Sequence, residues 1–274
     1  MQMSPRKTVI LSVGLLLAAV FITGCSGKSS SVFQGYIEGE YVYVASPIGG
    51  ALTNLAVARG DEVKTGQLLF ELERNSEAAA LNEVEKNLTQ AEANLALSQA
   101  EYARRIQLRE DHLEVISAEE LDQARAQRDA DQARVGSQKA AVAKALWSFD
   151  QKEQFAPTNA FVQDTLYRFG EWVAAGNPIV ELLPPANIKV RFFVPETVLP
   201  RIKPGQTVSV TFDGGQHAHS ATVNYISTQA EFTPPVIYSR ENRAKMVYMI
   251  EAKFSSSNAA DLRPGQPVDV QINP

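Results

Sequence analysis

The sequence has a single cysteine, Cys25, and no long apolar run after residue 22. One cysteine excludes an intramolecular disulfide framework. A membrane-spanning helix needs about 20 apolar residues, so we expect none downstream of residue 22. The sequence also lacks a G-x-x-x-x-G-K-[ST] phosphate loop and a G-x-S-x-G nucleophile elbow. We therefore predict that the chain is not an enzyme and carries no cofactor.

The N-terminal segment has the layout of an export signal. Two basic residues precede the apolar run 9–22, which is followed by Thr23, Gly24 and Cys25. A basic start, a short apolar run and small residues at the cleavage point are typical of a secretory signal. Residues 22–25, Ile-Thr-Gly-Cys, resemble the bacterial lipobox, in which the cysteine is acylated and becomes the new N-terminus. We predict a lipoprotein signal peptide at 1–24, followed by an anchor linker and first strand at 25–45.

The charge balance is acidic, with 26 Lys and Arg residues against 31 Asp and Glu residues. Binding to a nucleic-acid backbone needs a basic face, so we exclude nucleic acid as a partner. His217 and His219 could lie on one face of a strand and bind a metal ion. No third ligand stands near them in the sequence, so we expect an exposed hairpin edge and no metal site.

An internal repeat is the most informative feature. Residues 46–72 align without a gap with residues 156–182, at a spacing of 110. Alternating apolar residues predict short strands, and glycines predict tight turns because glycine accepts a positive φ. Neither copy can bury its apolar face alone, so we expect the two copies to stack in one small sandwich. The glycines assigned to turns are Gly60 and Gly66 in the first copy, and Gly170 and Gly176 in the second.

The segment between the copies is rich in helix formers and almost free of Gly and Pro. Ser117 and Glu120 have capping-box spacing, so we expect one helix to end near Asp111 and a second to begin after Ser117. Two arms of about 37 residues would form an antiparallel hairpin roughly 55 Å long. A hairpin tip with no core to support is expected to contact a partner. The predicted coiled-coil seam comprises Leu81, Val84, Leu88, Ala91, Leu95, Ser98 and Tyr102 on the first arm, and Leu121, Ala124, Val135, Val142, Ala145 and Phe149 on the second. We also expect four small residues to let the arms approach closely: Ala130, Ala133, Ala140 and Ala141.

The C-terminal third changes to alternating strands. A Pro-Gly turn followed by an alternating strand occurs twice, at Gly205 and at Gly265, a spacing of 60. Further alternating segments occur at 189–194, 221–227 and 246–254. We predict a small β-barrel here.

The repeat carries a resemblance to known proteins. Its pattern V-x-x-G-[DE]-x-V-x-x-G-x-x-[LI] resembles one half of a biotinyl/lipoyl domain. Paired halves with a long insertion resemble the HlyD-type membrane fusion proteins, the periplasmic adaptor subunits of bacterial efflux and secretion systems. This resemblance implies a mostly β fold with a long α-helical hairpin. The implied divisions are lipoyl-like halves at 46–74 and 154–184, the hairpin at 75–153 inserted between them, and a barrel at 185–274.

In a true carrier, the turn that joins the halves displays a lysine for cofactor attachment. No Met-Lys-Met or Asp-Lys-Ala stands where the first half runs into the insertion. We therefore expect a scaffold without carrier chemistry.

The tip of the predicted hairpin resembles the adaptor tip motif, in which an arginine, a leucine and a serine dock between helices of a TolC-type outer-membrane channel. Residues 116–122 match the second part of that motif. The spacing from Arg105 to Ser117 is one residue longer than usual, and the leucine is either Leu108 or Leu113. The resemblance implies Arg105, Leu108 and Ser117 as docking residues.

Two features bear on the transporter. The stretch from Phe232 to Tyr248 resembles adaptors that serve ABC-type exporters. The short chain ends favour the same partner, because adaptors of proton-driven pumps usually continue into a membrane-proximal domain. We expect a Gram-negative periplasmic adaptor, lipid-anchored at the inner membrane, that links an ABC exporter to a TolC-type channel and forms a homo-oligomeric ring, often of six. The alternatives are an adaptor of a proton-driven tripartite pump, a biotinyl/lipoyl carrier, and a structural or metal-handling lipoprotein.

Overall fold

The computed structural model contains short strands and two long helices. It describes residues 32–111, 116–212, 218–232, 246–255, 259 and 262–272. The chain divides into two units. One contains residues 1–36, 190–252 and 266–274, and the other contains residues 37–189 and 253–265.

The elements follow in chain order. The strands are β1 (Val32–Gly39), β2 (Val42–Ala45), β3 (Gly50–Leu55), β4 (Glu62–Val63), β5 (Leu68–Leu72), β6 (Glu153–Phe155), β7 (Ala160–Thr165), β8 (Trp172–Val173), β9 (Pro178–Leu183), β10 (Ile188–Pro195), β11 (Thr207–Thr211), β12 (His219–Phe232), β13 (Met246–Phe254) and β14 (Pro267–Ile272). The helices are α1 (Asn75–Asp111) and α2 (Ala118–Asp150), with short 3-10 turns at Pro185–Asn187 and Leu199–Arg201.

Two four-stranded sheets form the sandwich, in the orders β2-β9-β7-β4 and β6-β5-β3-β8. Adding the repeat spacing to β2, β3, β4 and β5 gives β6, β7, β8 and β9, so one sheet is the image of the other. Each sheet takes two strands from each copy. The aligned repeat began at residue 46 and left out β2 and β6, because these two strands have no identical residues at matching positions.

The turn hydrogen bonds repeat with the same symmetry. The Gly60 amide donates to the Val162 carbonyl, and the Gly170 amide donates to the Leu52 carbonyl, both at 2.8 Å. The six glycines assigned to turns have φ between +80° and +93°, a backbone conformation that residues with a Cβ rarely adopt. These are Gly60, Gly66, Gly170, Gly176, Gly205 and Gly265.

The sandwich core lies between the two sheets and takes equivalent residues from both copies. Leu52 and Val162 are a repeat pair, as are Leu72 and Leu182, and all four side chains are at most 2% exposed. Burial of these apolar faces is the main stabilising term. The halves therefore stabilise each other although residues 75–150 separate them in sequence.

A closed barrel is formed by strands in the order β1-β10-β13-β12-β11-β14. Strand β1 belongs to this barrel, although it stands at the opposite end of the sequence from the barrel strands that the alternation pattern identified. Its residues pair antiparallel with β14, from Val32 opposite Gln271 to Tyr36 opposite Pro267. A Cβ on Gly35 would lie 2.4 Å from the Arg191 carbonyl oxygen, so β1 approaches β10 more closely than a larger residue allows.

Candidate functional site: the helical hairpin and its tip

Helix α1 has 37 residues and α2 has 33, which at 1.5 Å per residue gives arms of roughly 50 to 55 Å. The predicted seam residues are all buried or half-buried, and Ala91, Ser98, Ala124 and Val135 are the most enclosed. The helices thus pack along a heptad seam, as predicted.

The expectation for three of the small residues was wrong. Ala130, Ala133 and Ala140 are exposed on the outer side of α2, whereas Ala141 is half-buried. Successive residues of an α-helix are rotated by 100° about its axis. Because the seam continues from Ala124 through other positions at 3-4 spacing, these three alanines lie on the side of α2 that points away from α1. The seam positions that the sequence analysis missed are polar: Arg128, Asp131 and Gln138.

Polar contacts also join the two arms near the tip. The Arg128 guanidinium lies over the Tyr102 ring, 4.4 Å from its centroid. Cation–π contacts of this kind stabilise by about 0.5–1 kcal/mol at exposed sites. Nearer the tip, Arg105 Nη1 donates to the Glu120 carbonyl oxygen at 2.9 Å. Two arginines therefore attach the arms to each other near the tip.

Both hydrogen bonds of the predicted capping box are present at the start of α2. The Glu120 amide donates to Ser117 Oγ at 3.2 Å, and the Ser117 amide donates to Glu120 Oε2 at 2.9 Å. The Ser117 backbone and side-chain hydrogen bonds, together with the nearby Arg105 charge, lower the pKa of the Glu120 carboxyl. The cap is thus strongest when Glu120 is ionised.

The three proposed docking residues occupy different positions at this end of the hairpin. Arg105 and Ser117 are joined through Glu120, which both of them contact. Leu108 follows Arg105 by one turn, is 39% exposed, and is not part of this network. The alternative leucine, Leu113, lies outside the described residues, which resume at residue 116.

Lys152 closes the opposite end of the hairpin, where the chain re-enters the sandwich. The residue is only 2% exposed. Its ammonium donates to the carbonyls of Gly49 at 2.8 Å and Glu73 at 3.0 Å, and pairs with Glu77 at 3.0 Å. Partial burial acts to raise the pKa of Glu77, but hydrogen bonds from Lys152 and Ser76 outweigh it and lower that pKa. The sequence analysis missed Lys152. The signal that could have indicated it is a lone lysine directly after a long helical pattern.

Lys152 is the lysine that stands at the junction of the two lipoyl-like halves, on the second-half side. In a carrier domain such a lysine must be exposed for cofactor attachment. Here the ammonium group is enclosed by two carbonyls and a carboxylate. Its position therefore suits a structural role.

Several expectations concern residues that the structure does not describe. The signal peptide, Cys25, His217 and most of the stretch from Phe232 to Tyr248 fall in this group. His219 is described and stacks on Phe212, with ring centroids 5.4 Å apart. Within the described ranges, no group of three metal-ligating side chains is present, and no helix is long and apolar enough to cross a membrane.

Comparison with known proteins agrees with this architecture. Residues 80–152 match the family described as RND MFP, alpha-helical hairpin domain. The UPF0194 membrane protein Ent638_1286 from Enterobacter sp. (strain 638) is 25% identical over an alignment of 327 positions, which covers 99% of this chain and 98% of the relative. MacA from Actinobacillus actinomycetemcomitans superposes with a TM-score of 0.70 and 19% identity, covering 89% of this chain and 78% of MacA. The membrane fusion protein Spr0693 from Streptococcus pneumoniae R6 has a TM-score of 0.64 at 19% identity, covering 89% of this chain and 99% of Spr0693. At these identities the two structures show the fold.

The chain is mostly β, with one long helical hairpin and a β-barrel, so the expected fold class is confirmed. The hairpin family, the relative aligned along its whole length and the shared fold together identify the chain as a membrane fusion, or periplasmic adaptor, protein.

Proposed function

We propose that this adaptor links an inner-membrane ABC-type exporter to a TolC-type outer-membrane channel. The observation that carries the proposal is the hairpin, whose tip is closed by the Arg105, Ser117 and Glu120 contacts and whose sequence matches an adaptor family. Arms this long hold the tip roughly 50 Å from the sandwich, which suits a contact with a distant partner.

A second candidate, the adaptor of a proton-driven pump, has its own support. The matched hairpin family is described as belonging to RND adaptors, the proton-driven class. The ABC assignment is supported by the resemblance of the stretch from Phe232 to Tyr248 to ABC-associated adaptors. Affinity purification of the cross-linked full chain from its host distinguishes the two. An ABC permease with its ATPase in the eluate is the expected result, and a proton-driven pump in their place would overturn it.

At the tip, the proposed channel contacts are Arg105, Leu108 and Ser117. Arg105 has five N–H donors and uses one of them on the Glu120 carbonyl, so further donors can reach a channel carbonyl or carboxylate. Leu108 offers exposed apolar surface one turn away. Ser117 serves the cap, and its exposure allows it to contact a partner as well.

The tip contact is tested by Arg105→Asp combined with Ser117→Arg. We expect loss of in-cell cross-linking to the channel and loss of export, with the hairpin still helical by circular dichroism. Arg59→Ala is a matched control, because it changes the net charge of the chain by the same amount as the double variant but does so on the sandwich. Unchanged cross-linking and export in the double variant would refute the docking assignment.

Membrane attachment is proposed to occur through an acylated Cys25, at the inner membrane. The lipobox-like sequence before Cys25 supports this. One acyl chain alone binds a membrane only marginally, so stable attachment needs more than one. Mass spectrometry of the N-terminal peptide is expected to show a lipid-modified Cys25. An unmodified thiol, or an uncleaved signal, would contradict the anchor.

A carrier function is the alternative of another class, and the burial of Lys152 opposes it. The structural-lipoprotein alternative predicts no partner in the purification described above. Intact-mass measurement of the full chain is expected to show neither biotin nor lipoate on any lysine. A mass increase matching either group would revive the carrier alternative.

We further propose that copies of the adaptor assemble as a ring, often of six.

A further inference from the structure

The first turn of each repeat copy is built in the same way. In the first copy, the Ala58 amide donates to Asp61 Oδ2 at 2.8 Å. In the second copy, the Arg168 amide donates to Glu171 Oε2 at the same distance. Each turn also has a glycine with a positive φ at the same place. One backbone conformation therefore occurs twice in the sandwich, and its side chains can be compared position by position.

The side chains on these two turns differ in character. The first copy carries Arg59 and Glu62, whereas the second carries Phe169 and Trp172 at the equivalent positions. Phe169 is 77% exposed and Trp172 is 71% exposed, the highest values among the large apolar side chains that the structure describes. Because Arg59 and Glu62 support the same turn, folding does not require the aromatic rings. Exposure of such rings to water is unfavourable, which indicates that they serve an interaction.

The faces of the two rings are open. Among the residues that the structure describes, no ring contact involves Phe169 or Trp172. Trp172 stands opposite Ala51 of strand β3, so the indole has a small neighbour in the sheet. The equivalent pair in the first copy is Glu62 opposite Phe161, where a large ring occupies the same place. The second copy thus leaves room for a flat ligand beside the indole.

Two carboxylates lie close to this open ring surface. Glu171 stands between the two aromatic residues in the turn. The Glu73 amide donates to the Ala51 carbonyl at 2.8 Å, which places Glu73 next to the residue that faces Trp172 across the sheet. Carboxylates attract a cation, and so do the faces of aromatic rings. The surface therefore combines two features that favour a positively charged aromatic ligand.

The cations nearest to these carboxylates are engaged elsewhere. Arg168 Nη1 donates to the Thr165 carbonyl at 2.8 Å. Lys152 is buried and pairs with Glu77 at 3.0 Å. Within the part of the chain that the structure describes, neither cation lies over either exposed ring. The ring faces, which carry negative charge density, are thus accessible to a cation from outside.

The area of the exposed rings limits the size of the partner. An aromatic side chain buries about 150–250 Å², so two rings that are about three-quarters exposed present roughly 300 Å². A stable protein interface covers about 800 Å² on each partner. The ring surface is therefore too small for a stable protein contact, and it matches a small molecule.

We infer that the turn at 168–172 binds aromatic organic cations, which stack against Phe169 and Trp172 with their charge near Glu73 and Glu171. The surface is open to solvent, so the expected affinity is weak, with a Kd on the order of 1 mM. Weak binding allows rapid release, which suits contact with a cargo in transit. This cargo role rests on the proposed function, whereas the binding site itself does not.

An NMR titration of the purified full chain with N-methylquinolinium, a flat and permanently cationic aromatic probe, tests the site. The chain has two tryptophans, and Trp147 on α2, which is 52% exposed, serves as the control in the same sample. We expect the indole N–H signal of Trp172 to shift and saturate while that of Trp147 stays nearly unchanged. Naphthoate, a flat anion, should bind at least about threefold more weakly. Equal shifts of both indoles, or equal affinity for naphthoate, would overturn the inference.

The first copy supplies a variant that keeps the turn. Phe169→Arg combined with Trp172→Glu installs the first-copy side chains and leaves the net charge unchanged. We expect binding, followed on the signals of the probe itself, to weaken at least about tenfold. Glu73→Gln should weaken the cation about threefold and leave binding of quinoline, the uncharged ring, unchanged. Glu62→Gln removes the same charge from the first-copy turn and is the matched control. Undiminished binding in the double variant would assign the ligand to another surface.

The binding site and the proposed function fail in different ways. A full chain that captures the exporter and the channel, but shows no selective Trp172 shift, would refute the site alone. A selective shift in a chain that captures neither partner would refute the proposed function alone. Where both hold, cells with the Phe169→Arg and Trp172→Glu variant should become more sensitive to N-methylquinolinium while channel cross-linking persists. Unchanged sensitivity would refute the cargo role.

Discussion

Arg105 Nη1 donates to the Glu120 carbonyl at 2.9 Å, and the carboxylate of the same glutamate caps the Ser117 amide. The last turns of α1 are thereby attached to the first turn of α2. Arg105 and Ser117, which we propose to bind the channel, also hold the tip together. A substitution at either residue changes tip geometry as well as tip chemistry, so the two effects need separate measurements.

Ser117→Ala is expected to fray the first turn of α2, because the Glu120 amide loses its acceptor. Loss of a serine cap costs about 0.5–2 kcal/mol of helix stability. Hydrogen exchange at the Glu120 amide should accelerate accordingly. Ser117→Asp retains a capping oxygen and should keep the amide protected. Equal protection in all three chains would mean that the cap contributes nothing to the tip.

The cap should weaken in acid. The pKa of Glu120 is lowered in the folded chain, so ionised Glu120 stabilises the cap above the ordinary carboxyl pKa of about 4.3, and the contribution is lost as pH falls through the lower folded value. The NMR shift of the Ser117 amide proton, followed from pH 7 to 3, should report this titration. In Glu120→Gln the titration should disappear. A titration that persists in Glu120→Gln would assign it to another group.

The split sandwich was predictable because its signals are local. Positive-φ glycines and alternating apolar residues recur at one fixed spacing, and pairing of the two copies follows from their need to bury apolar faces. The helix limits were equally predictable, since Ser117 and Glu120 carry their own cap chemistry.

The remaining features depend on contacts distant in sequence. Pairing of β1 with β14 joins the two ends of the chain, and no local pattern specifies that partner. The outward position of Ala130, Ala133 and Ala140 depends on the register of the seam, which places polar Arg128 and Asp131 toward α1. The prediction for these alanines rested on their small size alone and failed because size does not specify the register of the seam.

Lys152→Met should destabilise the junction of hairpin and sandwich. The change leaves Glu77 without its cation and removes the donor to the carbonyls of Gly49 and Glu73. Removing one partner of a buried ion pair typically costs about 3–5 kcal/mol. Chemical denaturation should show a loss of this order. Adding Glu77→Met to the same chain should recover part of the loss, and a double variant less stable than Lys152→Met would argue against direct coupling.

Gly35→Ala and Gly136→Ala should shift stability in opposite directions. A Cβ at residue 35 meets the Arg191 carbonyl oxygen at 2.4 Å and Phe192 Cβ at 2.7 Å, so β1 must move away from β10. Overpacking of this kind costs about 1–3 kcal/mol. Gly136 is exposed within α2 and has no atom within 4 Å of an added Cβ. Alanine there should stabilise the helix by about 0.5–1 kcal/mol, since glycine is a poor helix former. Denaturant midpoints of the two variants measure both shifts, and a neutral Gly35→Ala would show that the barrel tolerates a wider spacing between β1 and β10.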